Sequence, residues 1–162
     1  MYNVLDVCRF IVKYSNDNGQ SVSNLKLQKL LYFIQAFYLQ TKGEPCFREK
    51  IEAWSFGPVV REAYMAYKQF GGMPIPTMDS EIRQLDPNNI FDFQRVPCDY
   101  NVLSEADKEA IGMLLDAFKD FSAAYLVDVT HRQSPWIDAY EPHRNREITL
   151  DSMRRYFCGK KE

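Results

Sequence analysis

One segment constrains the fold of this chain more than any other: residues 24–41, which read as a helix apolar on two sides. Leu27, Leu30, Leu31, Ile34, Phe37 and Tyr38 recur at helical spacing and form a wide apolar face. Leu25, Tyr32, Ala36 and Leu39 form a second, narrower stripe on the opposite side. Gln28 and Gln35 border one edge of that stripe, and Lys29 and Gln40 the other. A helix with two apolar sides is either buried at the centre of its domain or offers one side to a partner. Both alternatives stand at this point. Ser23 or Asn24 caps its start, and Gly43 lies just past its end.

Around it the periodicity predicts a mainly α fold: one helix-rich domain over residues 1–162 with a minor short-strand element. Residues 3–16 predict a first helix that places Val4, Val7, Cys8, Ile11 and Val12 on one face and stops at Asn16-Asp17-Asn18-Gly19. Ile51 to Phe56 alternates like a strand, and Gly57-Pro58 is expected to break it and open a helix over Val59–Phe70. That helix carries Val60, Ala63, Tyr64 and Tyr67 on one face. Residues 73–100 hold Pro74, Pro76, Pro87 and Pro97 and read either as short strands near Ile75 or Phe91–Phe93 or as a surface loop.

Ser104-Glu105-Ala106-Asp107 starts another helix as a capping box. Its expected core face is Ala106, Ala110, Met113, Leu114, Ala117, Phe118 and Phe121, with Lys108, Glu109, Asp116 and Lys119 opposite. Ser122 caps a shorter helix ending near His131, Ser134-Pro135-Trp136 begins another segment, and a last helix covers about Leu150 to Phe157.

The chemistry of the chain is sparse. Two histidines, His131 and His143, and no Cys/His cluster or H-E-x-x-H run argue against a metal site. Neither a Walker A run nor G-x-G-x-x-G is present, so no cofactor is expected. A net charge of −2 supplies no global attraction to nucleic acid or to an anionic membrane. A DNA-binding regulator ranks third among the readings for that reason, and no bilayer-length apolar run occurs. With no leader-like start, a cytoplasmic location is expected, and Cys8, Cys46, Cys98 and Cys158 read as free thiols.

One catalytic constellation is available: Asp128 and His131, a helical turn apart, with Cys8, Cys46 or Cys158 as nucleophile of a cysteine-dependent hydrolase. The plainer reading of His131 is a histidine in a last helical turn, where the helix dipole and free carbonyls favour it. Trp54 and Trp136 read as core indoles or as binding anchors. Arg144, Arg146, Arg154, Arg155, Lys160 and Lys161 make the C-terminal part basic, as a solvated face or as a surface for an acidic partner.

Three motifs in order carry a resemblance. They are Leu27-Gln28-Lys29-Leu30-Leu31-Tyr32, then Glu52-Ala53-Trp54 with Gly57-Pro58-Val59, then Thr130-His131 with Pro135-Trp136. In this arrangement the chain resembles the Panacea antitoxin domain, the SocA-like and phage-associated (GepA-like) family. The resemblance implies an antitoxin of a two-gene toxin–antitoxin system, with a cognate toxin as protein partner and no enzymatic activity. It also implies, as an alternative, an adaptor that delivers the partner to a cytoplasmic protease. Under this reading Leu27, Gln28, Lys29, Leu30, Tyr32, Glu52, Trp54, Gly57, Pro58, His131, Pro135 and Trp136 are structural motif residues. Candidate toxin contacts are Leu25, Tyr32, Ala36, Leu39, Tyr64 and Tyr67, together with the segment 73–100.

Overall fold

The computed structural model describes residues 1–78, 81–86, 89–97 and 99–159. Among them the order is α1 (Val4–Asp17), α2 (Asn24–Lys42), β1 (Ile51–Trp54), β2 (Gly57–Val59) and α3 (Arg61–Tyr67). There follow β3 (Glu81–Asp86), β4 (Asn89–Pro97), α4 (Glu105–Phe118), α5 (Ala123–Thr130), α6 (Ser134–Ala139), β5 (Glu147–Ile148) and α7 (Leu150–Cys158). The fold is mainly α, with a three-stranded antiparallel sheet in the order β2-β1-β5.

Side-chain caps account for the helix starts. Asn3, Ser23, Ser104, Ser122 and Thr149 each accept a backbone N–H of the first turn, which satisfies a donor the helix itself cannot. Gly43 ends α2 in the left-handed conformation that glycine adopts without a Cβ penalty.

Helix α2 is the axis of the core. Its wide face buries Leu27, Leu30, Leu31, Ile34 and Tyr38, leaving Phe37 half-buried. The narrow stripe is covered as well, because α5 and α7 pack on that side. Tyr32, Ala36 and Leu39 are buried there, and only Leu25, at the first turn, reaches the surface. Both apolar sides of α2 are therefore core in the free chain. The reason is geometric: two helices late in the sequence return to the side that the early elements leave open.

Two local expectations are corrected, and one open choice is decided. Gly57-Pro58 does not open a helix; Gly57, Pro58 and Val59 turn back and pair with Trp54, Ala53 and Glu52. The helix begins only at Arg61, and Lys68–Phe70 continue it as a 3-10 turn. In the proline-bearing segment, β3 and β4 form an antiparallel hairpin from Glu81↔Pro97 to Asp86↔Asn89, with a register shift at Leu85/Asp86. Phe91–Phe93 falls within β4, whereas Ile75 is a buried loop residue whose N–H donates to the Val22 carbonyl at 2.9 Å.

The second correction concerns α4. Its buried residues are Asp107, Ile111, Gly112 and Leu115, a face turned away from the predicted one. Ala106, Met113 and Ala117 are exposed, and Ala110, Leu114 and Phe118 only half-covered. Two local features rotate the helix. At Gly112 an added Cβ would lie 3.0 Å from the Tyr14 ring, so α1 approaches closest where α4 has no side chain. The Asp107 carboxylate accepts hydrogen bonds from Tyr2 at 2.5 Å and Tyr38 at 2.6 Å, and it pairs with Lys42. Burial pushes its pKa up, but Lys42, Tyr2, Tyr38 and Ser104 together hold it well below the usual carboxylate range.

Pro87, Cys98, Lys160 and Lys161 lie outside the described residues. None of the described helices is long and apolar enough to cross a membrane.

Candidate functional site

The three motifs lie far apart in sequence and meet at one place, where α2 passes under the β1–β2 hairpin. Helix α2 supplies a row of buried polar side chains that hold backbone of the surrounding loops and strands. Gln28 Oε1 accepts the Val60 N–H at 3.0 Å, and its Nε2 donates to Asn24 Oδ1 at 2.9 Å. Asn24 in turn donates to the Tyr64 carbonyl at 3.1 Å. Seven residues on, two turns along the same face, Gln35 Oε1 accepts the Cys46 N–H at 2.8 Å, and Nε2 donates to the Phe47 carbonyl at 3.1 Å. A buried amide that bonds otherwise unpaired backbone removes a desolvation penalty and pins the loop at once.

Lys29 is the unusual member. It is fully buried, and its Nζ donates to the Pro58 carbonyl at 3.0 Å. Burial without a carboxylate beside it pushes its pKa down to about 7. Gly57 closes the roof over it at φ +96, where a Cβ would stand 2.7 Å from Lys29 Cε and 2.8 Å from Thr130 Oγ1. Only glycine fits both the backbone and the space.

The third motif closes the other side. Trp136 Nε1 donates to the Trp54 carbonyl at 2.9 Å, which ties α6 to β1. The Trp136 ring stacks between His131 at 4.0 Å and Tyr140 at 4.5 Å. Pro135 occupies the first turn of α6, where its missing N–H costs no hydrogen bond. Tyr32 donates to Gln133 Oε1 at 2.9 Å and meets Phe157 edge-on at 5.8 Å. Glu52 receives Trp54 Nε1 at 2.7 Å and both Arg61 nitrogens at 3.1 and 3.2 Å, and Trp54 packs on Tyr64 at 4.9 Å.

The motif residues thus form one continuous node that joins α2, the hairpin, α5 and α6. Leu27 and Leu30 are core beside it. Gln35, Thr130, Gln133 and Asp107 are buried polar residues as well; the sequence marks Gln35 as a stripe border, Thr130 as a motif residue and Asp107 as part of a capping box, without giving any of them an anchoring role. The seven-residue spacing of Gln28 and Gln35, both at the border of an apolar stripe, is the sequence signal for the first of them.

The hydrolase constellation is arranged differently. His131 caps α5, and burial together with the nearby Lys29 ammonium lowers its pKa. Its Nε2 is enclosed without a hydrogen-bond partner among the described residues, and Asp128 pairs with Arg132 at 3.1 Å. Cys8 and Cys46 are fully buried; burial pushes the Cys46 thiol up to about 12 and Cys8 further. Such thiols are held protonated, the opposite of what a nucleophilic cysteine needs. Cys158 is exposed.

Among the proposed contacts, Tyr32, Ala36, Leu39 and Tyr67 are buried, Tyr64 is half-buried and Leu25 is exposed. Four of the six therefore have their side chains inside the free domain. In the basic C-terminal part, Arg144 and Arg146 pair with Glu141, and Arg154 pairs with Asp151. Large apolar side chains do reach solvent elsewhere: Phe56 at the hairpin turn, Met65 on α3, Met113 on α4, and Phe121 and Tyr125 at the α4–α5 junction.

The family description "Antitoxin SocA-like, Panacea domain" matches residues 27–137, a span that contains the whole node. Over 116 residues the chain is 33% identical to the protein named Antitoxin SocA of Caulobacter vibrioides (strain NA1000 / CB15N). That stretch is 71% of this chain and 58% of the relative, so the chain spans little more than half the length of the curated relative. No solved structure matches the chain. Residues 27–137, with the node they build, place this chain in the Antitoxin SocA-like, Panacea domain family.

Proposed function

We propose that this chain is the antitoxin of a toxin–antitoxin pair and neutralises its toxin by direct protein contact in the cytoplasm. The observation that carries the reading is the division of labour in the domain. The residues that make the chain similar to an antitoxin are engaged in an internal scaffold, while Met113 and Tyr125 stand 69% and 51% exposed on its surface. Exposed aromatic side chains supply large contact area with few rotatable bonds, and a flexible methionine adapts to an irregular partner surface, so both suit a protein interface on a rigid frame.

The test is co-expression of this chain with the product of the neighbouring reading frame under separate inducers. Growth arrest by the neighbour alone, rescue by this chain and co-elution of the two support the reading. A harmless neighbour, or rescue without co-elution, overturns direct neutralisation. Toxin abundance in the rescued cells separates blocking from delivery to a protease: a blocked toxin persists, and a delivered one disappears.

A further inference from the structure

The surface of α4 has an order that its own domain does not use. Ala106, Ala110, Met113 and Ala117 follow at steps of four, three and four residues and form one apolar row along the helix. Beside it Phe37 of α2 and Leu114 complete a shallow apolar depression of about 310 Å³. Three of the four row positions are alanine, so a second helix laid on it can approach closely, with the flexible Met113 filling the contact.

Charge defines what fits. Glu105, Glu109 and Asp116, at steps of four and seven, form a parallel row flanking the apolar one on its α1 side, and all three are exposed. Asp116 accepts bonds from Tyr14 at 2.9 Å and Gln20 at 3.2 Å, neutral donors that leave its charge in place. Glu105 pairs with Lys108. Lys108 and Lys119 lie beyond the acidic row, farther from the apolar one, by helical geometry. A second copy laid antiparallel on α4 would set acidic row against acidic row, which is repulsive. A partner helix with a basic flank meets both rows favourably.

We infer that the α4 row and the Phe37 depression form a docking groove for an amphipathic helix of the toxin, with its apolar stripe on Met113 and a Lys/Arg flank along Glu105, Glu109 and Asp116. This rests on the antitoxin reading and specifies the surface through which it works. The hairpin turn at Phe56 is one competing exposed patch, remote from α4 in sequence, and it serves as the control.

The experiment uses the full chain with the neighbour-encoded toxin. Met113→Asp and, independently, Ala117→Lys are compared with Phe56→Ser for growth rescue, co-elution and affinity, with thermal melts confirming the fold. The groove predicts at least about a tenfold loss of affinity for both α4 variants, in the hot-spot range, with melting temperature unchanged. Phe56→Ser keeps wild-type rescue. Glu109→Lys weakens binding most at low salt, because the rim acts through screened charge. Wild-type affinity in both α4 variants overturns the groove while rescue by the wild-type chain keeps the antitoxin reading. Loss confined to Phe56→Ser moves the interface to the hairpin and also overturns it. A wild-type dimer that Met113→Asp converts to monomer assigns the groove to a second copy and overturns it. If the wild-type chain neither rescues nor co-elutes, the reading underneath has failed and the groove falls with it.

Discussion

The node beneath the β1–β2 hairpin and the outer row of α4 invert the usual placement of polar and apolar groups. In the node, Gln28, Lys29, Gln35 and Gln133 are inside; on α4, alanines and Met113 are outside. Each inversion has a local cause. Gln28, Lys29 and Gln35 are enclosed because they satisfy backbone groups that the hairpin and the Cys46–Phe47 loop leave unpaired, and Gln133 because it receives the Tyr32 hydroxyl. The α4 row is exposed because Gly112 against Tyr14 and the anchored Asp107 fix the helix with its other face inward. Enclosed polarity specifies one arrangement of the chain, whereas uncovered apolar surface leaves area for association.

That contrast predicts large stability effects in the node and small ones on α4. The largest is Tyr32→Ala, which removes a buried ring and leaves Gln133 unpaired; it is expected to cost about 4 kcal/mol in chemical denaturation. A loss under about 1 kcal/mol would return Tyr32 to the surface and dissolve the contrast on the node side. Gly57→Ala comes next, at about 3 kcal/mol, because the new Cβ meets positive φ and the Lys29 and Thr130 side chains together.

Lys29 sharpens the comparison through pH. Its folded pKa, about 7, lies below its ordinary value of 10.5, so between these values the unfolded chain binds the extra proton. Folding stability must therefore rise with pH in that window, and the penalty for the buried ammonium is complete below it. From pH 7 to 9 the Lys29 contribution is on the order of 2 kcal/mol, measured as the slope that Lys29→Met abolishes. An equal slope in both proteins would mean that the ammonium is solvated and the node is open.

His131 has the same sign at lower pH, since its depressed pKa makes stability fall as pH drops below the ordinary histidine value of 6.5. The smallest expected effect is that of Met113→Gln, which should stay within about 0.5 kcal/mol of wild type in the isolated chain. A loss of core size there would show that the α4 row is packed.

Much of this was legible in the sequence because it is local. The starts of α2, α4 and α5 follow from Ser23, Ser104 and Ser122, whose side chains act within one turn of where they stand. The end of α2 at Gly43 is local in the same sense. The motif order that carries the family likeness is also a property of the string, and residues 27–137 bear it out. The β1–β2 turn misled because Gly57-Pro58 suits either a helix start or a tight return; pairing with Trp54 and Ala53 decided for the return.

What the tertiary structure alone decided is which apolar stripe is covered. Helix α2 carries two and both are buried, because α5 and α7 return over the narrow one from a hundred residues away. Helix α4 carries one and it is left outside, because contacts to Tyr2, Tyr14, Tyr38 and Lys42 turn the helix on its axis. Amphipathic spacing says that a helix has a face to bury. It does not say against what, since the covering element comes from a distant part of the chain or from a different molecule, and nothing in the helix itself records which.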